Sequence, residues 1–190
     1  MHGVGFLDGK SWNNGKKCRT YTMWENMLKR CYLTSYLETK PTYRECSVCD
    51  EWLIFSNFKK DVEEMQGFNL DGWQMDKDIL GNGLKTYSKE TCCFVPMELN
   101  MKFVKPRGNH TGLPCGVYKK GSKYIAKCSA GKREKIQIGT YLTIEEAKEA
   151  CLNKKIVLIQ SLADKYKVAL DVRVYEALMN VEYLRKSLYS

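Results

Sequence analysis

The stretch of chain from residue 74 to residue 100 constrains the fold most strongly, because it predicts a fixed succession of elements. A short strand over Trp73–Lys77 ends in acidic residues, a glycine-rich turn follows, and Cys92–Val95 forms a second strand. Pro96 stands where a helix can begin, since its fixed φ and missing N–H cost little in a first turn. Asn100 lies about one turn into that helix and can point back at the acidic strand end. These elements would frame an oxygen-rich pocket for one hard divalent cation.

The composition favours a folded intracellular protein with an anionic partner. Of the 190 residues, 44% are hydrophobic, so packed cores are expected. No apolar run approaches the ~18 residues that cross a bilayer, and the beginning of the chain lacks the pattern of a secretion signal. Lysine and arginine number 31 against 22 aspartate and glutamate, and this net charge of +9 favours a polyanion. We therefore expect a cytoplasmic protein without a membrane partner.

Nine cysteines in a chain without a secretion signal are expected to be thiols or metal ligands rather than disulfides. Cys46 and Cys49 have the spacing of a zinc knuckle. The next thiols, Cys92 and Cys93, are adjacent rather than two residues apart, which suits a tetrahedral site poorly. Two interpretations follow: structural zinc on these four cysteines, or buried thiols that pack as small apolar groups.

The first twenty residues are rich in glycine, asparagine and lysine, which predicts a loose basic arm. Such an arm could follow a phosphate backbone or could be a solvated tail. After it, Thr22 and Glu25 have the pattern of a capping box, and apolar residues at helical spacing predict a short amphipathic helix. A second helix is predicted over residues 51–61, packing on the first.

A change of pattern after Asn100 divides the chain. Residues 101–112 are rich in lysine, proline, glycine and asparagine, a composition typical of a linker. We predict an α+β protein with a first domain over 1–105, a linker over 106–112 and a second domain over 113–190.

The second domain is predicted to be a small sheet backed by a helix. Three alternating runs, at Gly116–Lys119, Lys123–Ser129 and Lys135–Tyr141, predict a three-stranded antiparallel meander. Thr143 begins a second capping box, and the helix behind it has one apolar face. A final helix is predicted over 172–188, with an apolar stripe for packing within the chain or for a homodimer contact.

The other face of this sheet is predicted to be cationic. It could be an ordinary solvated face, but one-sided lysine density with interleaved tyrosine favours nucleic-acid binding. The candidate DNA contacts are Tyr118, Lys119, Lys120, Lys123, Tyr124, Lys127, Lys132, Arg133 and Lys135.

The second domain also resembles the Apetala/ethylene-response-factor DNA-binding fold. The resemblance rests on Gly116-Val-Tyr, on Tyr124-Ile-Ala and on the run Ile-Gly-Thr-Tyr-Leu-Thr-Ile-Glu-Glu-Ala that ends at Ala147. It implies a sheet that lies in the major groove of double-stranded DNA. Lysine and tyrosine largely replace the arginine and tryptophan readers of that family. Because lysine lacks the fork that arginine offers to guanine, weaker sequence selectivity is expected.

The first domain is similar to bacteriophage HNH (His-Me finger) homing endonucleases, which join a ββα-metal module to an Apetala-type domain. The similarity rests on Trp52 and Phe55 in Glu-Trp-x-x-Phe-x-x-Phe and on Asp-Lys-Asp-Ile-Leu, which begins at Asp76. It rests also on Tyr-Ser-x-Glu-Thr-Cys-x-Phe-Val-Pro-x-x-x-Asn, which ends at Asn100. The resemblance implies a phage protein acting in the cytoplasm of an infected bacterial host.

This resemblance also implies site residues. Asp76 and Asn100 would hold Mg²⁺ or Mn²⁺, Thr91 stands near the middle Asn of the motif, and Asp78 stands where the family has its histidine. A histidine of pKa ~6.5 is suited to take a proton from water at neutral pH, whereas a carboxylate near ~3.9 is a weaker base. With Asp78 in place of the histidine, the activation of water would depend more on the metal ion, which lowers the pKa of bound water and so supplies hydroxide.

The leading hypothesis from the sequence is a double-stranded DNA endonuclease of the HNH type that hydrolyses phosphodiester bonds with a divalent metal. The alternative is a catalytically inactive DNA-binding regulator or an inhibitor of host nucleic-acid machinery, and the replaced histidine favours it. A third interpretation, a zinc-stabilised protein-interaction module, rests only on the cysteines.

Overall fold

The computed structural model describes residues 3–13, 15–104, 112–131 and 134–189. The fold is of the predicted α+β class, and the chain divides into two compact units. The first unit comprises Met1–Met97 and Ala169–Val174, and the second comprises Glu98–Val168 and Tyr175–Ser190. Of the predicted linker, only Gly112 is among the described residues. Within the described ranges, no helix is both long enough and apolar enough to cross a membrane.

The first unit is built from short helices and short strands. Its strands are β1 (Trp12–Asn13), β2 (Lys16–Lys17), β3 (Ser47–Val48), β4 (Trp73–Asp76), β5 (Thr86–Tyr87) and β6 (Cys93–Pro96). Its helices are α1 (Arg19–Tyr32), α2 (Thr34–Thr39), α3 (Phe55–Glu64) and α4 (Asp78–Gly81), with 3-10 turns at Pro41–Tyr43 and Asp50–Leu53.

Aromatic side chains form the core of the first unit. Trp24 of α1, Trp52, and Phe55 and Phe58 of α3 are buried. The indole N–H of Trp24 donates to the carbonyl of Trp52 at 2.7 Å, and the indole N–H of Trp52 donates to the carboxylate of Asp61 at 2.9 Å. Both buried N–H groups are therefore satisfied, and α1 and α3 pack together as predicted.

Helix α1 begins earlier than the sequence pattern predicted. Its cap is Cys18, whose Sγ accepts a hydrogen bond from the amide of Tyr21 at 3.3 Å. The hydroxyl of Thr22 donates to the carbonyl of Cys18 at 3.1 Å, and Glu25 accepts the ammonium of Lys17 at 2.7 Å. The capping box predicted at Thr22 is wrong, because both of its side chains bond elsewhere and lie inside the helix.

The described part of the N-terminal segment is anchored to the first unit, so the predicted loose arm is wrong there. The amide of Phe6 donates to the carbonyl of Leu53 at 2.8 Å, and the amide of Phe55 donates to the carbonyl of Phe6 at 3.0 Å. The carboxylate of Asp8 accepts from the amide and the hydroxyl of Ser56 at 2.9 and 2.5 Å. Strands β1 and β2 follow as an antiparallel hairpin.

Strands β4 and β6 pair antiparallel, with Trp73 opposite Pro96 and Asp76 opposite Cys93. Pro96 ends the second strand, and helix α5 (Met97–Phe103) begins at the next residue. The predicted succession of strand, strand and helix is therefore present. Strands β3 and β5 form a separate parallel pair.

The second unit contains the predicted three-stranded antiparallel sheet. Its strands are β7 (Val117–Lys120), β8 (Lys123–Gly131) and β9 (Glu134–Tyr141), in the order β7-β8-β9. Helix α6 (Ile144–Tyr166) packs on one face of this sheet, around buried Val117, Ala126 and Ala147. The capping box at the start of α6 is confirmed: Thr143 Oγ1 accepts from the amide of Glu146 at 3.2 Å, and Glu146 accepts from the amide of Thr143 at 3.2 Å.

The C-terminal helix is present but divided in two, as α7 (Val172–Met179) and α8 (Val181–Tyr189). Asn180 stands between them, and its side-chain oxygen accepts from the amide of Tyr183 at 3.0 Å. An asparagine oxygen that caps a new helix start in this way explains why one continuous helix does not form.

Residues 169–174 belong to the first unit although they follow α6 in the chain. Leu170 and Val174 are buried, and the side-chain amide of Gln66 donates to the carbonyl of Leu170 at 3.0 Å. The first unit is therefore made from two separate pieces of sequence.

Candidate nucleic-acid interface

The side chains of the three-stranded sheet divide between a helix-facing side and a solvent-facing side. Val117 lies opposite Ala126, and both are buried under α6. Because side chains alternate along a strand, neighbouring residues point to the other side. We call that side the outer face, and its members in the described residues are Tyr118, Lys120, Lys123, Ile125, Lys127, Ser129, Lys135, Gln137 and Thr140.

The cations of the outer face gather around one aromatic ring. The Nζ atoms of Lys127 and Lys135 lie 5.4 and 5.1 Å from the centre of the Tyr118 ring. Lys135 also donates a hydrogen bond of 2.6 Å to the hydroxyl of Tyr118. Tyr118 thus holds two ammonium groups from two other strands at short range, an arrangement suited to adjacent phosphates.

Two more lysines extend this face to the β7–β8 turn. Lys120 and Lys123 lie directly opposite each other, and both are exposed. Gly121 in the two-residue turn between them has a φ of +60°, which glycine adopts at little cost. The tight turn brings both lysines to one end of the sheet.

The sequence prediction is corrected at two positions. Tyr124 packs against the core of Val117, Ala126 and Ala147, so it does not share the outer face with the lysines. Lys119 lies opposite Tyr124 and alternates with Tyr118, so it belongs to the helix-facing side, although it is exposed. The reason is strand parity, which places adjacent residues such as Lys119 and Lys120 on opposite sides.

The remaining predicted contacts, Lys132 and Arg133, lie outside the described residues. The sequence of this sheet is nevertheless one-sided in charge. Between residues 117 and 141 the only acidic residue is Glu134, and the cationic residues are Lys119, Lys120, Lys123, Lys127, Lys132, Arg133 and Lys135. The sequence analysis missed four outer-face residues, for which the alternation along β8 and β9 was the signal: Ile125, Ser129, Gln137 and Thr140.

The acidic strand end in the first unit has a different environment. Asp76 is buried, and its Oδ1 accepts from the amides of Asp78 and Ile79, both at 2.8 Å. It therefore caps the short helix α4. Burial raises the pKa of the Asp76 carboxyl above its usual value, against the opposing effect of the Ile79 amide.

Asp78, which the resemblance to HNH endonucleases would align with their histidine, is paired with a buried lysine. Lys77 Nζ lies 2.5 Å from Asp78 Oδ1, and the lysine side chain is 8% exposed against 64% for the aspartate. Burial, the largest single effect, would lower the pKa of Lys77, but the hydrogen bond to Asp78 and the nearby charges of Asp78 and Asp76 together outweigh it, and the pKa is raised. The Lys77 ammonium also lies 5.7 Å from the centre of the Tyr87 ring. The sequence reasoning missed Lys77, because nothing in the sequence marks a lysine as buried.

Thr91 and Asn100 are the other two residues that the HNH resemblance singled out. Thr91 is buried in the loop before β6, where its hydroxyl donates to the carbonyl of Thr86 at 2.6 Å. Asn100 lies in α5 and belongs to the second unit, whereas Asp76 and Asp78 belong to the first.

The side chains around Asp76 do not fit a divalent metal well. One oxygen of Asp76 already accepts hydrogen bonds from two amides. The Lys77 ammonium forms an ion pair with Asp78 and so already neutralises the charge that would attract a metal ion. In the described ranges, no three His, Cys, Asp or Glu side chains converge as metal ligands. A hard cation that needs six or more oxygen ligands would require a rearrangement here.

The four candidate zinc cysteines are all free thiols, and Cys46, Cys92 and Cys93 are buried. Burial raises the pKa of the Cys92 thiol to about 12 and that of Cys93 well above its usual value. Because the thiolate is the form that binds zinc, these surroundings favour the protonated, apolar form.

Comparison of this chain with protein-family models, with curated proteins and with solved structures gives no match.

Proposed function

We propose that this protein binds double-stranded DNA through the outer face of the sheet β7-β8-β9. The observation that carries this proposal is the placement of Lys127 and Lys135 around Tyr118, on a face whose described members include no acidic residue. An exposed set of lysines fixed by a packed sheet attracts a phosphate backbone and releases its counterions.

The chemistry of these side chains predicts binding that depends mainly on the backbone. An ammonium is a point charge without the planar fork that reads guanine, so lysines contribute to affinity more than to sequence choice. Tyr118, which is 38% exposed, can contact a sugar or a base edge. Gln137 and Thr140 on the outer face can also donate and accept hydrogen bonds.

Fluorescence anisotropy with a labelled duplex tests the proposal. The double variant Lys127→Ala/Lys135→Ala removes two outer-face charges. Lys119→Ala/Lys167→Ala removes the same charge from exposed sites away from that face. We expect the first variant to weaken binding on the order of tenfold and to lower the slope of log affinity against log salt by about 2. Equal effects of the two variants would contradict a specific role for the outer face.

Phosphodiester hydrolysis is a second candidate function. The observation that favours it is the order of β4, β6 and α5, with Asp76 ending the first strand. Because the surroundings of Asp76 and Asp78 do not fit a divalent metal as they stand, we derive no catalytic step from them. A plasmid-nicking assay with Mg²⁺ or Mn²⁺, repeated with Asp78→Ala and Asn100→Ala, tests this candidate. Cleavage that both variants abolish supports it, and intact plasmid with the parent protein under every metal refutes it.

DNA binding without cleavage, as a regulator or an inhibitor of host nucleic-acid machinery, is the corresponding non-enzymatic proposal. It predicts that Asp78→Ala leaves DNA affinity unchanged. A homodimer through the C-terminal helices also stays a proposal, which sedimentation of the purified protein would test.

A further inference from the structure

The lysines of the outer face form two groups, one toward each end of strand β8. Lys120 and Lys123 flank the β7–β8 turn, whereas Lys127 and Lys135 lie beside the ring of Tyr118. Lys123 and Lys127 are four residues apart on one strand, which corresponds to about 13 Å. The major groove of B-DNA is about 12 Å wide. The two groups can therefore contact the two phosphate backbones that border one groove.

The centre of the outer face has uncharged side chains. Ile125 lies midway between Lys123 and Lys127 on β8, and it pairs with Thr140 of β9. Gln137 pairs with Lys127 and lies diagonally beside Ile125. Gln137 and Thr140 are exposed, and Ile125 is partly exposed. One apolar and two polar side chains are therefore available to a ligand that the lysines hold against this face.

The apolar side chain of Ile125 suits a base edge better than it suits a phosphate. Strand alternation places Ile125 on the side away from α6, so the core beneath that helix does not bury it. The apolar group that base pairs present in the major groove is the C5-methyl group of thymine. Ile125 and the methyl group of Thr140, which face each other across two strands, can both contact such a methyl group.

The side-chain amide of Gln137 matches the other base of the same pair. It has one acceptor oxygen and one donor NH₂ group, and adenine presents a donor at N6 beside an acceptor at N7. Guanine presents two acceptors, which the fork of an arginine matches best, and the described members of the outer face include no arginine. An A·T pair thus offers a partner both to the amide and to the apolar groups.

We propose that the centre of the outer face reads A·T base pairs in the major groove. Gln137 forms two hydrogen bonds with adenine, and Ile125 and Thr140 contact the methyl group of thymine. This inference rests on the proposed function, because the lysines must first hold a duplex against the sheet. It adds the class of DNA that the protein selects, since the lysines supply affinity and the three uncharged residues supply sequence choice.

Four duplexes of equal length test this inference by fluorescence anisotropy. One contains only A·T pairs and one only G·C pairs. The other two are the A·T duplex with deoxyuridine in place of thymidine, which lacks the methyl group, and with 7-deaza-adenine, which lacks the N7 acceptor. Both base changes leave the minor-groove edges intact. The parent protein should prefer A·T to G·C roughly 5- to 100-fold, and each base change should weaken its binding to the A·T duplex a few-fold.

Protein variants assign each response to a side chain. Gln137→Ala should no longer respond to 7-deaza-adenine but should still respond to deoxyuridine, and Ile125→Ala should show the reverse. Thr140→Ser, which removes only a methyl group, should reduce the response to deoxyuridine. Since none of these residues is charged, all three variants should keep the parent dependence of affinity on salt. Ile136→Ala is the control, because Ile136 is 47% exposed but lies opposite Cys128 on the helix-facing side of the sheet.

The outcomes distinguish this inference from the proposed function. If the parent binds all four duplexes equally and Lys127→Ala/Lys135→Ala weakens every one, the inference fails and the proposed function stands. A preference for A·T that survives both base changes would come from duplex shape, and it would overturn the inference too. If the parent binds no duplex, both proposals fail. Because the base changes are made in the DNA, the unfolding of a variant cannot imitate their effect.

Discussion

Lys135 donates a hydrogen bond of 2.6 Å to the hydroxyl of Tyr118 across the outer face of the sheet. The same ring lies 5.4 Å from the ammonium of Lys127. The hydrogen bond to Tyr118 raises the pKa of Lys135, so this lysine is fully charged at neutral pH. Tyr118 therefore positions two lysines of the outer face. Its removal should weaken DNA binding because those lysines lose their fixed positions.

Substitution of Tyr118 separates the contribution of its ring from that of its hydroxyl. Tyr118→Phe keeps the ring and removes the hydroxyl that orients Lys135, so we expect a loss of DNA affinity of a few-fold at most. Tyr118→Ala removes both the ring and the hydroxyl and should lower DNA affinity on the order of tenfold. Neither variant should change the melting temperature appreciably, because the side chain is exposed. Anisotropy titrations with a duplex would measure both effects, and a larger loss for Tyr118→Phe than for Tyr118→Ala would contradict the assignment.

Asp76 should show a stability that depends on pH. Because burial raises its folded-state pKa, its contribution is greatest below the unfolded value of ~3.9 and is lost as the pH rises through the raised value. Asp76→Asn keeps an oxygen for the amides of Asp78 and Ile79 but cannot ionise. Relative to the parent, this variant should therefore be more stable at pH 7 than at pH 4. Urea unfolding at both pH values measures the difference, and a difference that does not vary with pH would refute the explanation.

Asp76→Ala contrasts with Asp76→Asn because it removes the hydrogen-bond acceptor as well as the charge. It removes the cap of α4 and leaves two amides without their acceptor, so the free energy of unfolding should fall by about 1–2 kcal/mol. A loss in Asp76→Asn as large as in Asp76→Ala would mean that the charge, rather than the hydrogen-bond acceptor, stabilises this turn.

Gly116 is expected to tolerate no side chain. Its φ is +86°, and a Cβ at this position would lie 2.7 Å from the carbonyl oxygen of Lys127 and 3.0 Å from Cys151 Sγ. Gly121 is the matched control, since its φ is +60° but a Cβ there would meet nothing within 4 Å. Gly121→Ala should cost about 1 kcal/mol for the backbone conformation, and Gly116→Ala about 1–3 kcal/mol more for the clash. Thermal melts that rank the two variants equally would contradict this.

The capping box of α6 should contribute measurably to stability. Thr143→Ala removes the oxygen that accepts from the amide of Glu146, so we expect a loss of about 1 kcal/mol. Ser161→Ala, at an exposed position of the same helix, is the control and should be neutral or slightly stabilising, because alanine is the better helix former. Chemical denaturation of both variants tests this, and a neutral Thr143→Ala would show that packing alone determines where the helix begins.

Elements with a local signal were predictable from the sequence. The start of α6 followed from Thr143 and Glu146, and the three strands of the sheet followed from alternation and turn residues. The start of α1 was not predictable in the same way, because its cap is the sulfur of Cys18, a weak acceptor that capping rules omit. The segment that contains the β1–β2 hairpin does have a sequence signal, an Asn-Gly pair, but its basic composition favoured the prediction of a loose arm.

The arrangement of the candidate site depends on strand parity, register and burial, which the sequence alone indicates only weakly. Lys119 and Lys120 are adjacent, so one must leave the outer face, and only the burial of Val117 decides which one. An irregularity between Ala126 and Lys127 shifts the register toward β9, and no residue pattern indicated it. The partner of Asp78 could not be predicted either, because the burial of Lys77 comes from the packing around β4.

The return of residues 169–174 to the first unit makes the two units alternate along the chain, as 1–97, 98–168, 169–174 and 175–190. Leu170 and Val174 complete a core whose other members precede them by some seventy residues or more. As the chain leaves the ribosome, the first unit would be incomplete until residues 98–168 of the second unit had also been synthesised. A fragment cut between the units would lack those pieces, so division of this protein into halves would yield an N-terminal half with an incomplete interior.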